Sequence, residues 1–357
     1  MEIRVSELEP KKRGRKPEDD SKLGFGRYFS DHMFLMNYQT GKGWHSPRIE
    51  PRRPLELDPA ALVLHYGQEV FEGLKAYRGE GGGIFLFRYR DNIRRFNRSC
   101  RRLVIPELDE ELFAEGLKKL VLLEKNWIPT SPGCSLYIRP NVIATDAVLG
   151  VRPSETYLFY IICGPVGAYY PEGFNPISIY VSDKYVRAAL GGIGEAKTCG
   201  NYAASLLAQK EAKEQGFSQV LWLDAKERRY VEEVGTMNIF FRIDDEVITS
   251  PLTGTILPGV TRDSVIQLLK HWKIKVSERP LAIDEIIAAQ KNGRLREVFG
   301  SGTAAIISPV GSIRYRGEDF RVADGGTGEL SRRLFDYLQA LQYGREQDPF
   351  GWVERIG

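Results

Sequence analysis

Gly164-Pro-Val-Gly-Ala-Tyr-Tyr-Pro-Glu-Gly-Phe-Asn-Pro176 interrupts a chain of 357 residues close to its middle. Glycine and proline at this density break both helix and strand, so the stretch reads as a boundary between two folded bodies. At roughly 100–200 residues per domain the length also calls for two. On its N-terminal side lie the apolar strand candidates Ser135–Val142 and Thr156–Cys163, and further back the strand Ile84–Phe87. The stretch Asp91–Leu103 reads as a helix with an arginine-rich face. Glu110–Glu124 reads as another, with Leu112, Phe113, Leu117, Leu120 and Val121 on one side and Glu115, Lys118 and Lys119 on the other. Beyond Pro176 strands and helices alternate. Ile177–Val181 and Val220–Leu223 are strands around the helix Tyr202–Gln215. Met237–Ile243 and Val247–Ser250 form a hairpin, Thr261–Trp272 and Glu285–Gln290 are helices, and Arg296–Phe299 and Ala304–Ile307 flank Gly300-Ser-Gly302. The expected architecture is α/β: a polar, mobile tail over 1–27, a smaller N-terminal domain over 28–164, an interdomain loop over 165–176 and a larger C-terminal domain over 177–357.

Composition narrows the class. Apolar residues make up 42% and charged residues 27%, and Lys and Arg exceed Asp and Glu by only three. These are values of a soluble globular protein, and they leave no overall electrostatic footprint for nucleic acid or an anionic membrane. The longest apolar run, Tyr157-Leu-Phe-Tyr-Ile-Ile-Cys163, is far short of the ~20 residues of a spanning helix. Cys100, Cys134, Cys163 and Cys199 form no C-x-x-C pair and are expected as reduced thiols in a cytoplasmic protein. The N-terminus has no apolar core of the secretory kind. Its basic cluster, Lys11-Lys-Arg-Gly-Arg-Lys-Pro17, loosely resembles a minor-groove hook. Glu18-Asp-Asp20 follows at once, and a solvated terminus is the better reading than a DNA-associated protein.

Several chemistries are absent from the motifs. No Walker loop, no helical His pair with a Glu and no Gly-x-Ser-x-Gly elbow occurs, and no metal site is expected. What remains is distributed. Gly194-Glu-Ala-Lys-Thr-Cys-Gly-Asn-Tyr202 sets Lys197 in a loop of short residues before a helix, where the positive helix end disfavours the ammonium form. Glu232 and Glu233 precede an apolar strand, where a carboxylate meets a protonated ring nitrogen. Leu257-Pro-Gly-Val-Thr-Arg262 opens a helix, whose first amides form an anion site. Phe299-Gly-Ser-Gly-Thr-Ala304 has the composition of an anion nest. Each is an ordinary feature alone. Together they describe a pyridoxal-phosphate site: an imine-forming lysine, a carboxylate for the pyridinium and a phosphate cup.

The same stretches, with His65-Tyr-Gly-Gln-Glu-Val-Phe-Glu-Gly73, Tyr137-Ile-Arg-Pro140 and Gly164-Pro-Val-Gly-Ala-Tyr169, occur in the order found in the branched-chain amino acid aminotransferases. The chain closely resembles that family from about Phe34 to near its C-terminus. The resemblance implies a fold-type IV enzyme, two α/β domains with pyridoxal 5'-phosphate at their interface. It implies Lys197 as the Schiff-base lysine, Tyr202 on the cofactor's phenolate oxygen, Glu233 on the pyridine nitrogen and Arg95 on the phosphate. Val260, Thr261 and Thr303 complete the phosphate cup, with Thr236 close by. Tyr66, Phe71, Tyr137 and Tyr169 form an aromatic wall around the substrate side chain, Thr303 and Ala304 approach its α-carboxylate, and Arg139 meets the distal carboxylate of glutamate. Val151 belongs to a loop reaching in from a partner subunit of a homodimer or larger homo-oligomer.

The implied reaction is reversible, ping-pong amino transfer between leucine, isoleucine or valine and 2-oxoglutarate. D-amino acid transaminase and aminodeoxychorismate lyase are the alternatives within the fold type. Where mammalian members carry a C-x-x-C after the Gly-Thr-Ala turn, Ala305-Ile-Ile-Ser308 has no cysteine, so thiol regulation is not carried over. Cys199 is expected as a small buried thiol.

Overall fold

A computed structural model describes residues 1–167, 169 and 174–357. The expected interdomain loop 165–176 therefore lies partly outside the described residues. The chain forms two compact units: Met1–Pro171 with Ala196–Cys199 and Gln339–Gly357, and Glu172–Glu195 with Gly200–Leu338. Two short pieces of the second half thus belong to the first unit, which becomes the larger.

The first unit is built on a nine-stranded sheet. The order is Arg4–Val5, Gly43–Pro51, His32–Gln39, Thr156–Val166, Ser135–Ala144, Leu74–Arg78, Ile84–Phe87 and Val353–Arg355, with Glu69–Phe71 paired beside Ser135–Ala144. Val353–Arg355 joins by antiparallel pairing with Ile84–Phe87, a non-local contact invisible to sequence periodicity. Helices Tyr89–Arg102 and Glu110–Leu123 cover the sheet. The second is capped by Asp109, whose side chain accepts from the Leu112 amide at 2.8 Å. Between helices and sheet, Phe96, Phe113 and Phe159 meet edge to face at centroid distances of 4.7–5.5 Å. This core fixes the first helix against the strand Glu69–Phe71, and so orients that helix's polar face.

Residues 1–27 are not a detached tail. Arg4–Val5 pairs in parallel with Arg48–Ile49, Ile3 and Leu23 are buried, and the Leu8 amide donates to His32 Nε2 at 2.9 Å. Within the basic cluster Lys12 pairs with Glu9, Arg13 with Glu7 and Lys16 with Asp20. The polar composition hid two apolar anchors spaced widely enough to escape any periodic pattern.

In the second unit the order is Val231–Val234, Gln219–Leu223, Ile177–Val181, Ile306–Tyr315, Leu295–Gly302, Met237–Ile243, Glu246–Thr249 and Lys275–Glu278. Val231–Val234 also pairs with Met237–Ile243, so the path closes on itself. Phe240 stacks on Phe299 inside it at 5.1 Å. The single helix expected over 202–215 is two, Cys199–Ala203 and Leu206–Glu214, broken at Ala204–Ser205.

Candidate active site

In the first unit, Lys197 sits on a segment held by successive hydrogen bonds. The Phe71 amide donates to the Lys197 carbonyl at 3.0 Å, and the Lys197 amide donates to Ser99 Oγ at 3.0 Å. Thr198 Oγ1 donates to the Glu69 carbonyl at 2.7 Å, and Cys199 Sγ to the Gly67 carbonyl at 3.4 Å. A short loop with few apolar contacts is otherwise mobile; here it is stitched to the strand Glu69–Phe71 and to the helix Tyr89–Arg102. The half-buried Lys197 side chain carries its Nζ 5.0 Å from the Phe71 ring centroid. Cys199 is half-buried rather than buried.

Asn92, Arg95 and Ser99 recur at helical spacing, so one polar face of Tyr89–Arg102 meets this region. Arg95 donates through Nε to Glu72 Oε1 at 2.7 Å and through Nη2 to Glu72 Oε2 at 2.9 Å, a bidentate pair. Glu72 is fully buried, and Arg95 is 4% exposed. Asn92 Nδ2 and the Gly73 amide each add a bond at 3.0 Å to Glu72 Oε2. Burial acts to raise the Glu72 carboxyl. Arg95 against it, with Lys197 and the Gly73 amide, holds it below the usual carboxylate range.

The strand Ser135–Ala144 places Tyr137 and Arg139 on one face. Arg139 Nη2 donates to Tyr137 Oη at 2.9 Å, and the guanidinium lies 4.8 Å from the Phe71 centroid and 5.3 Å from that of Tyr137. Its buried Nε has no hydrogen-bond partner among the described residues. A Cβ at Gly73 would come within 2.1 Å of Tyr137 Oη, so only glycine admits the tyrosine here. Phe25 meets the Tyr137 ring edge-on at 4.9 Å and, with Tyr28, Phe29 and Arg139, lines a cavity of about 270 Å³. Tyr66 stands apart: it is exposed and donates to the Leu149 carbonyl of the loop that carries Val151. Tyr169 is also exposed.

In the second unit, Glu233 is buried on the strand Val231–Val234. It accepts from Asn238 Nδ2 at 3.0 Å, and Arg187 Nε lies 2.6 Å from its Oε2. Asn238 Nδ2 also donates to the Leu257 carbonyl at 2.9 Å, tying the carboxylate to the turn that opens the helix Val260–His271. No side chain caps this helix, and a Cβ at its N-cap Gly259 would fall 2.1 Å from Asn238 Oδ1. Val260 and Thr261 open this helix, the position at which helix amides bind anions. Gly235-Thr236 turns the hairpin, and Met237 packs against Gly300 and Gly302. Asn238 pairs with Ser301, a register that runs Thr236 toward Thr303. Ser301 Oγ, buried there, lacks a partner among the described residues. A carboxylate, an uncapped helix start and a glycine turn with an orphaned hydroxyl fit a phosphorylated pyridine ring. Tyr202 lies half-buried on the helix Cys199–Ala203.

The residues singled out from the sequence include Lys197, Glu233 and the turns at 257–262 and 299–304. They omit Glu72, although that residue stood inside a quoted motif, and they omit Asn238 for the same reason: neither identity signals a partner. Arg187 and Phe25 carried no local signal at all.

A family model described as amino-transferase class IV matches residues 69–313. Branched-chain-amino-acid aminotransferase 2 of Bacillus subtilis (strain 168) is 55% identical over 343 residues, 96% of this chain and 94% of that protein. The crystal structure of Escherichia coli branched-chain amino acid aminotransferase aligns with a TM-score of 0.76 at 28% identity, covering 92% of this chain and 99% of that one. The crystal structure of the T.th. branched-chain amino acid aminotransferase with pyridoxamine 5'-phosphate aligns with a TM-score of 0.75 at 28% identity, covering 90% of this chain and 98% of that one.

Proposed function

The chain belongs to the amino-transferase class IV family, and on that premise we propose that it exchanges the amino group of leucine, isoleucine or valine with 2-oxoglutarate, giving branched-chain 2-oxo acids and glutamate. It is a pyridoxal 5'-phosphate enzyme. When bound, that group takes up the electron pair left at the amino acid's Cα. Lys197 Nζ is the base that carries the Cα proton, and the hydrogen bonds on either side of its backbone hold it for that purpose. Glu233 keeps the ring nitrogen protonated, with Arg187 and Asn238 fixing the carboxylate. Tyr202 takes the phenolate oxygen. Val260, Thr261, Thr303 and, nearby, Thr236 serve the phosphate, as does Arg95. The Thr303 and Ala304 amides receive the substrate α-carboxylate.

One observation carries the choice of substrate: the Arg139 guanidinium lies against the rings of both Phe71 and Tyr137. Such a wall is apolar to an isobutyl group and charged to a distal carboxylate, so it suits leucine in one half-reaction and glutamate in the other. Leu149 and Val151 are 62% and 82% exposed beside Tyr66, which supports a loop completed by a partner subunit in a homodimer. No described helix is long and apolar enough to cross a membrane. Four free thiols support a cytoplasmic enzyme. The test is initial rates of the cofactor-loaded protein with a panel of amino donors and 2-oxoglutarate. L-Leucine, L-isoleucine and L-valine should lead with parallel double-reciprocal lines. Faster turnover of a D-amino acid, or pyruvate release from aminodeoxychorismate, would overturn the assignment.

A further inference from the structure

The second unit contains an open cleft of about 680 Å³ that none of these roles uses. Its size falls within the range of small-molecule sites. Leu190, Pro251, Ile256 and Pro280 give it apolar walls, and Asp224 and Glu232 line it as well. Glu232 and Glu233 are consecutive on the strand Val231–Val234, so their side chains leave on opposite faces. Glu233 turns to Arg187 and Asn238, and Glu232 turns to the cleft.

Glu232 is 7% exposed. Its Oε1 accepts from Thr255 Oγ1 at 2.6 Å, and its buried Oε2 has no hydrogen-bond partner among the described residues. A carboxylate oxygen in that position is costly unless something donates to it. Asp224 cannot accept much more. Its Oδ1 takes the amides of Arg229 and Tyr230, and its Oδ2 those of Lys226 and Glu227. It contributes negative potential rather than a vacant acceptor. Lys226 lines the cleft as an exposed side chain, where water and salt screen it.

We propose that this cleft binds an organic ammonium ion with a compact aliphatic body, its N–H directed at the Glu232 carboxylate. The cation answers the two carboxylates, and the aliphatic body covers the apolar walls. An anion of the same size meets Glu232 and Asp224 unfavourably.

The probe is N,N-dimethyl-3-methylbutylamine, a tertiary amine that cannot condense with an aldehyde. It is titrated by calorimetry into the full, cofactor-loaded chain, with and without 2-oxoglutarate. One equivalent per chain should bind, unaffected by 2-oxoglutarate, and the neutral 3-methylbutan-1-ol should bind more weakly. Glu232→Gln, which retains an acceptor for Thr255, should weaken the amine roughly 10- to 100-fold. Leu190→Arg, at a side chain 70% exposed, should weaken it without risk to the fold. Equal affinity of Glu232→Gln and wild type, displacement by 2-oxoglutarate, or no saturable binding would each overturn the proposal.

Discussion

Replacing Glu72 by glutamine should loosen the first unit far more than the loss of one charge at a surface would. The carboxylate is fully buried and meets Arg95 through two bonds of 2.7 and 2.9 Å, with Asn92 and the Gly73 amide completing its shell. A glutamine retains one oxygen, but turns an NH₂ toward donors and, in the cofactor-free chain, leaves the buried guanidinium without a counter-charge. Breaking such a pair from one side costs about 3–5 kcal/mol, because the remaining ion stays desolvated. Removing both charges, Glu72→Leu with Arg95→Met, should cost much less, and the difference between the variants isolates the uncompensated charge. The chain has two units, so a single unfolding midpoint is a poor gauge. Amide hydrogen exchange over Tyr89–Arg102 is the suitable assay, and protection there should fall roughly 150-fold or more for about 3 kcal/mol.

The pH dependence supplies a second reading. The folded-state Glu72 carboxyl is held below its ordinary value of 4.5. Its contribution is therefore fully present above about pH 4.5 and is lost as pH falls through the lower folded value. The gap between wild type and Glu72→Gln should be constant from neutral pH to about 4.5 and then narrow. A loss below about 1 kcal/mol at neutral pH, or a gap that widens in acid, would refute the reasoning.

Lys197→Ala should lower transamination at least 100-fold, the usual contribution of a positioned proton carrier; full activity in the variant would remove Lys197 from its role. Glu233→Gln should slow proton abstraction and weaken cofactor binding, whereas Glu232→Gln should leave both near wild type, since the two carboxylates face opposite sides of the strand; single-turnover spectra of both variants distinguish them, and a larger effect at Glu232 would reverse the assignment. Arg139→Ala should slow the glutamate half-reaction roughly 10- to 150-fold, corresponding to a charge-assisted bond of about 1.5–3 kcal/mol, and the leucine half much less. Equal slowing of both halves would reduce Arg139 to support of the pocket wall.

Features that depend on neighbouring residues were legible in the sequence. The loop around Lys197, the helix start after Gly259 and the glycine turn at 300–302 are local: the residue types themselves dictate backbone conformation and exposed amides. The helix 110–123 followed from its apolar period, and its Asp109 cap emerged only in the structure. Alternation along 231–234 likewise requires Glu232 and Glu233 to diverge, but it does not say which one enters the active site. The family resemblance singled out Glu233, whose partners Arg187 and Asn238 reach it through a distant loop and strand pairing.

The same limit explains Glu72. Its partner lies 23 residues away on a helix, and only the packing of that helix on the sheet brings the two together. The N-terminal 27 residues show the converse error, in which charge suggested solvent while two buried side chains and a short parallel pairing decided otherwise. Local conformation is written in residue type because sterics and hydrogen bonding act over a few bonds. Which charges meet, which strand closes a sheet and which segment joins which unit depend on non-local burial, and that is decided only when the whole chain has packed.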